Sequence, residues 1–347
     1  MTRQRPAPGG DRDASGGGSQ ADRDLPEERS VVAGRPDLGG GAATPSFALP
    51  VDAHLGLPGG PAALAIGPRM FTWGERTYVM GVLNVTPDSF SGDGLLGMPD
   101  PVEATVDRAR QMVEDGADLL DVGGASSRPG HQELSVAEES ARVVPVIRAL
   151  AATLPGTPIS IDTTSPGVAA AALDAGAHLL NDVWGVADDL GMVRVAAEHG
   201  CAIVLMHNRG EPRYRNLMPE VITDLWRAVE RAIAAGVAWD RLLVDPGFGF
   251  GKTPDHNLAL LAGLGSLRVL GRPILLGTSR KSTLGKLLDL PADERVEATA
   301  ATTVLAIASG AADIVRVHDV RENVRAARTA DAVVRGWRPT GWPGATR

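Results

Sequence analysis

Asn84, Asp121, Asp162, Asn181, Met206, Asp245, Lys281, Arg316 and His318 share one habit: each stands at or just beyond the end of a short apolar run, where a polar, turn-forming segment begins. The runs and their sequels read GVLN-VTPDSFSGDG, LLDV-GGASSRPG, ISID-T, LLND-VWG, AIVLM-HNRG, LLVD-PGFGFGK, ILLG-TSRKS and IVRV-HDV. An Asn or Asp inside an apolar run costs desolvation unless something nearby needs its amide or carboxylate. Asp121, Asp162, Asn181 and Asp245 form a set of acceptors and amides suited to a flat heterocycle rich in N–H donors, such as a pterin or guanine-like ring. Arg316 and His318, with Arg128 from the GGASSRPG segment, are cations suited to a phosphate or diphosphate. Asn84 supplies an oxygen of the kind that helps hold Mg²⁺ beside substrate phosphates.

Each residue also has a plainer reading. One Asp closing a strand is more often a helix N-cap than a catalytic group, and Asp182 and Asp319 fit that role. His207 taken singly reads as a satisfied structural histidine. Cys201 opens its run at the opposite end and reads as packing, and Lys252 reads as a residue of a solvated loop. Caps alone do not account for so many Asp, Asn, Arg, Lys and His at corresponding positions of successive runs.

The elements that must position these residues alternate regularly. Strand-like runs fall at Val79–Val85, Leu119–Val122, Pro158–Asp162, His178–Asn181, Ala202–Met206, Leu242–Asp245, Pro273–Gly277 and Ile314–Val317. Most are continuously apolar, as strands buried on both faces of a parallel sheet are. Helical patterns fall at Val102–Asp115, Val136–Ala152, Pro166–Ala175, Leu190–His199, Pro219–Ala235, His256–Leu264, Ala292–Ser309 and Val320–Val334. Gly116, Gly176, Gly200 and Gly236 stand where a helix C-terminal glycine belongs. Eight strands and eight helices over roughly 270 residues predict a (β/α)₈ TIM barrel of class α/β. All the polar residues then fall at the C-terminal mouth, where barrels keep their active sites. A doubly wound open sheet would carry a glycine-rich fingerprint after its first strand, and none stands there. The barrel domain is expected over residues 62–338, with a short tail at 339–347. Residues 1–61 are rich in Gly, Arg and Asp and poor in large apolar side chains, which predicts a disordered extension. A small hairpin is expected over Ile66–Tyr78, turning at Gly74-Glu75-Arg76 and covering the bottom of the barrel.

Composition narrows the function classes. The 347 residues carry a formal net charge of −8, which argues against nucleic-acid binding. A single cysteine forbids an intramolecular disulfide framework and suits a reducing compartment. The sequence shows neither a signal segment nor a long apolar span, so a cytoplasmic protein without membrane attachment is expected. HExxH, CxxC, P-loop and G-x-S-x-G patterns are absent, which disfavours zinc hydrolysis, P-loop nucleotide chemistry and a serine-hydrolase triad.

With these motifs in order, the sequence resembles the dihydropteroate synthases of the folate pathway, over about Thr72 to Val334. The resemblance implies a homodimeric barrel, a transferase that joins 6-hydroxymethyl-7,8-dihydropterin diphosphate to p-aminobenzoate, with Mg²⁺. It implies a pterin pocket of Asp121, Asp162, Asn181, Met206, Asp245 and Lys281. It implies p-aminobenzoate contacts at Ser127, Pro129, Phe250, Lys281 and Ser282. Diphosphate contacts fall on Arg128, Arg316 and His318, and the metal contact on Asn84. Asp162, Arg316, His318 and Lys281 are the implied catalytic residues, and the loop Thr86–Gly94 with Phe90 is the implied lid. Two positions depart from the family pattern: Ala125 stands where a Glu is common and Ser127 where a Thr is. Two other readings stay open at this level. One is a methyltetrahydrofolate–corrinoid methyltransferase on the same type of barrel, which has no need of the SRK and RVH cations. The other is a non-catalytic pterin-binding paralogue, for which Ala125 is the support.

Overall fold

Alternation of side chains along each strand organises this molecule. We describe it from a computed structural model, which covers residues 61–86, 100–125, 134–187 and 189–343. The expected extension up to Gly60, the lid residues 87–94, Ser127, Arg128 and Pro129 lie outside the described residues, as do the last four positions of the tail.

Eight parallel strands form one sheet: β3 (Tyr78–Asn84), β4 (Leu119–Gly123), β5 (Ile159–Asp162), β6 (Leu179–Asp182), β7 (Ala202–Met206), β8 (Leu242–Asp245), β9 (Leu275–Leu276) and β10 (Ile314–Val317). Each neighbours the strand next to it in sequence, β10 pairs in parallel with β3, and a bridge between Val244 and Ile274 joins β8 to the start of β9. The sheet thereby closes into the (β/α)₈ barrel that the sequence predicts. Helices α1 (Pro101–Glu114), α2 (Val136–Thr153), α3 (Pro166–Asp174), α4 (Gly191–His199), α5 (Leu217–Ala234), α6 (Pro254–Ala262), α7 (Ser282–Leu288), α8 (Val296–Ala308) and α9 (Val320–Val334) fill the connections. No helix among the described residues is long and apolar enough to cross a membrane.

Two apolar layers result. Leu120, Val122, Ile159, Ile161, Leu180, Ile203, Val244 and Val315 face the helices. The alternate positions Tyr78, Met80, Leu119, Leu179, Val204, Leu243, Leu275 and Ile314 fill the barrel's lower interior. Adjacent residues of a strand point to opposite faces. Counting on in twos from those interior positions reaches Asn84, Asp121, Asn181, Met206, Asp245 and Arg316. The polar site is therefore the top layer of the same inward-facing set.

Local sequence sets where the helices begin. Asp100 accepts hydrogen bonds from the amides of Val102 and Glu103 at α1, and Ser135 and Glu138 form a capping box at α2. At the bottom of the barrel, Arg76 holds both oxygens of Asp118 at 2.8 and 2.7 Å, and Arg268 holds both oxygens of Asp313 at 2.6 and 2.9 Å. These pairs lie at strand N-termini, the end of a barrel that serves stability.

Three expectations need correction. The hairpin consists of β1 (Leu64–Ile66) and β2 (Arg69–Phe71), so it turns at Gly67-Pro68 and not at Gly74-Glu75-Arg76. Gly67 has a φ of +52°, a region that favours glycine. The hairpin does cover the bottom, because Leu64, Ile66 and Phe71 join the interior layer. The helix expected over Ala292–Ser309 starts only at Val296, and the helix Ser282–Leu288 went unread. That helix is under two turns long and leaves Leu287 and Leu288 exposed, so it shows no apolar stripe. The seventh barrel strand shrinks from Pro273–Gly277 to Leu275–Leu276.

Candidate active site

Inside the mouth, Asp121 is fully buried. Its Oδ2 accepts hydrogen bonds from Asn181 Nδ2 at 3.1 Å and from Arg316 Nε at 2.5 Å. Its Oδ1 is buried and has no hydrogen-bond partner among the described residues. A buried carboxylate oxygen without a donor is costly, so this atom marks where a ligand N–H belongs. Arg316 also donates through Nη2 to Asp162 Oδ2 at 2.7 Å. Burial opposes the charge on Arg316, but Asp121 and Asp162 outweigh it and hold its pKa above the ordinary value. Burial pushes the Asp162 carboxyl up, against the pull of Arg316.

Asp245 closes β8 with its Oδ1 accepting from the Gly247 amide at 2.6 Å. Burial raises its pKa to about 6, opposed first by that amide and then by Lys281 and Lys252. Met206 pairs opposite Asp245 on β7 and is buried. Lys281 directly precedes α7, and its Nζ lies 3.9 Å from the centre of the Phe250 ring, a cation–π contact. Ser282, exposed, is the first residue of that helix.

Above β3 and β10 lies a second feature, a cavity of about 220 Å³ lined by Asn84, Arg108, Arg280, His318 and three apolar side chains. His318 Nδ1 lies 2.9 Å from Ser279 Oγ. Arg280 forms a two-point ion pair with Asp319 at 3.0 and 2.6 Å, which offsets its charge. Arg108 makes a 3.4 Å contact to the His318 carbonyl. The mouth thus divides into an acidic part around Asp121 and a cation-lined part around Asn84 and His318. Arg316 belongs by its contacts to the acidic part.

The structure brings together Asn84, Asp121, Asp162, Asn181, Met206, Asp245, Phe250, Lys281, Ser282, Arg316 and His318 at one barrel end. Asp182 caps no helix, contrary to its cap reading; it accepts from the Trp184 amide at 2.9 Å in a local turn, and α4 begins only at Gly191. Asp319 precedes α9 without capping it by its side chain, and pairs with Arg280 instead. Lys252 corrects its sequence reading: its Nζ is held by His207 Nδ1 and by the carbonyls of Gly247 and Phe250, not solvated on a loop. Cys201 is buried packing. Arg108 was missed, since it lies mid-helix on α1 in a run of charged residues that reads as a solvated face. Arg280 is the arginine of the SRK segment, to which the sequence assigns no individual role. Its φ of +58° is a strained conformation for a side-chain-bearing residue, and no local signal announces it.

A description of pterin binding enzymes matches residues 80–318. The dihydropteroate synthase of Clostridium beijerinckii is 47% identical over 272 residues, 78% of this chain and all of that protein. The chain belongs to the dihydropteroate synthase family. Among solved structures, the dihydropteroate synthase from Clostridium difficile, determined in the presence of pteroic acid, superposes with a TM-score of 0.73 at 45% identity, covering 77% of this chain and 100% of that one. The Xanthomonas albilineans enzyme with 4-aminobenzoic acid gives a TM-score of 0.73 at 41% identity, covering 79% and 98%. Arg316, His318, Asp121 and Asp162 all fall inside or at the edge of the matched span.

Among the described residues, no group of three His, Cys, Asp or Glu could hold a metal ion. The cavity offers a neutral amide at Asn84 among cations. Such a donor set does not make a resident cage, but it fits a Mg²⁺ that arrives on a diphosphate and keeps waters and phosphate oxygens as its main ligands.

Proposed function

We propose that this protein condenses 6-hydroxymethyl-7,8-dihydropterin diphosphate with p-aminobenzoate, giving 7,8-dihydropteroate and diphosphate in folate biosynthesis. The observation that carries this reading is the orphaned Asp121 Oδ1, buried beside Asn181 and Arg316 and next to a cation-lined cavity. A pterin edge supplies the missing donor, and its diphosphate reaches the cations.

The pterin ring lies against Asp121, Asn181, Asp162 and Asp245, with Met206 supplying an apolar contact and Lys281 closing the ring's far side. The diphosphate occupies the cavity at Asn84 and His318, extended by Arg128 of the second loop. Arg316 is two positions before His318, roughly 7 Å along the chain. It stands between the acids and the leaving group and stabilises the charge that builds on the departing oxygen. When bound, Mg²⁺ held by Asn84 and the diphosphate oxygens neutralises part of that charge.

The C–O bond breaks early, and the diphosphate leaves with the electron pair. Asp162 and its neighbouring carboxylates stabilise the pterin cation. The amine nitrogen of p-aminobenzoate, held by Phe250, Lys281, Ser282 and the loop residues Ser127 and Pro129, attacks the exocyclic carbon. A C–N bond forms, and the nitrogen sheds one proton to solvent. An aniline is neutral at neutral pH, so no strong base is needed. The protein acts in the cytoplasm as a homodimer.

The test is dihydropteroate formation by purified protein supplied with the pterin diphosphate, p-aminobenzoate and Mg²⁺. Mg²⁺-dependent product is expected. Tight pterin binding without product overturns the synthase reading and favours an inactive pterin-binding paralogue.

A further inference from the structure

Lys252 and His207 take no part in the chemistry above, yet they form a densely bonded polar group near it. Lys252 Nζ lies 3.0 Å from His207 Nδ1, 3.1 Å from the Gly247 carbonyl and 3.1 Å from the Phe250 carbonyl. An ammonium has three N–H donors, and here each has one acceptor. With Nδ1 accepting, the ring proton of His207 sits on Nε2, facing Asp224 Oδ2 at 3.3 Å. That carboxylate is held in turn by Arg209 at 3.1 and 2.7 Å.

What the ammonium grips matters more than that it is satisfied. Gly247 and Phe250 open and close one tight turn, with the Phe250 amide donating to the Gly247 carbonyl at 3.1 Å. Gly247 has a φ of +69°, and a Cβ there would collide with the His207 carbonyl, so the turn is pressed against the end of β7. Phe250 in turn carries the Lys281 ammonium on its ring. Burial opposes the charge on Lys252 and brings its pKa down to about 7; of the groups facing it, Asp245 and Asp224 favour the charge and Arg209 opposes it.

We propose that Lys252 is the positioning residue of the aromatic-amine subsite: its ammonium clasps both ends of the Gly247–Phe250 turn and thereby sets the Phe250 ring against Lys281. The inference rests on the p-aminobenzoate subsite of the reading above. The clasped turn also meets the pterin pocket at Asp245, whose Oδ1 accepts from the Gly247 amide at 2.6 Å, so the effect on p-aminobenzoate is expected to be the larger of the two.

The test compares Lys252→Met and Lys252→Gln with the wild-type protein. Product from the wild-type protein establishes the reading on which the inference rests, independently of either variant. Losing three donors in Lys252→Met should raise KM for p-aminobenzoate about tenfold, with KM for the pterin diphosphate within about twofold and the melting temperature little changed. Lys252→Gln keeps two N–H donors and should fall between. An unchanged KM for p-aminobenzoate, or an equal rise in both KM values, overturns the assignment. Failure of both variants to fold also overturns it, because it makes the lysine a general structural element.

Discussion

The Arg316 guanidinium meets the Asp162 carboxylate at 2.7 Å across the barrel, although β3 and β4 lie between their strands. The same guanidinium holds Asp121 at 2.5 Å. One cation thus partners two acids that would otherwise share a buried space as like charges. Removing it should do two things at once: take a cation from beside the leaving group and force a proton onto one of the acids. Arg316→Ala should lower kcat by about 10²-fold or more, the scale of losing a preorganised electrostatic contact. Steady-state turnover near the wild-type level would contradict the role given to this residue.

Asp245 makes the site sensitive to acid. Its pKa rises from an ordinary 3.8 to about 6 because it is buried. Between those two values the unfolded chain has lost the proton that the folded chain still holds, so this group's contribution to stability falls as pH rises from 3.8 to about 6. Asp245→Asn removes that titration, and its unfolding free energy should vary less over this range than that of the wild-type protein. Denaturant melts at several pH values read this directly. Pterin affinity should run the other way, weakening below pH about 6 as the acceptor carboxylate is lost. Affinity that stays level from pH 7 to pH 5 would exclude Asp245 as a pterin acceptor.

Arg108 lines the cation-lined cavity with Asn84 and His318. Being exposed, it acts through a partly screened charge. Arg108→Ala should raise KM for the pterin diphosphate about fivefold, within the range for a charged hydrogen bond. KM for p-aminobenzoate should stay put, and the difference from the wild-type protein should shrink at high salt. A salt-independent effect would point to lost packing instead.

Asp313 is tied down at the opposite end of the barrel. It is 1% exposed, receives both Arg268 contacts and accepts from the Ile274 amide at 2.8 Å. Asp313→Ala leaves that amide and both Nη atoms of the guanidinium without their acceptor, while Nε keeps the Gly310 carbonyl at 2.6 Å, and should cost about 3 kcal/mol of stability. Because the residue lies far from the mouth, kcat at room temperature should hold. Thermal melting and activity measured on one preparation check both halves.

Most of the chemistry was legible because a barrel strand writes its ending plainly: an apolar run closed by Asn84, Asp121 or Asp245 is costly without a partner, and eight such endings in series point to one mouth. The barrel itself was legible from the alternation of runs and helical patterns. What escaped had no local signature. Arg108 looks like any charged helix residue until α1 is laid against β3. Lys252 looks solvated until the end of β7 brings His207 beneath it. The Gly67-Pro68 turn and the short helix after Lys281 are too brief for periodicity to resolve.

The order of elements, the inward face of each strand and the residue types available at the mouth are determined by the sequence alone, because they follow from apolar spacing and the period of two along a strand. The pairings are decided only by the tertiary structure. That Arg316 reaches Asp121 and Asp162 rather than standing with His318, that Arg280 spends its charge on Asp319, and that Lys252 closes on Phe250 all depend on strands distant in sequence meeting around one closed barrel. Charge and hydrogen-bond capacity are properties of a residue, whereas the partner that uses them is a property of the fold.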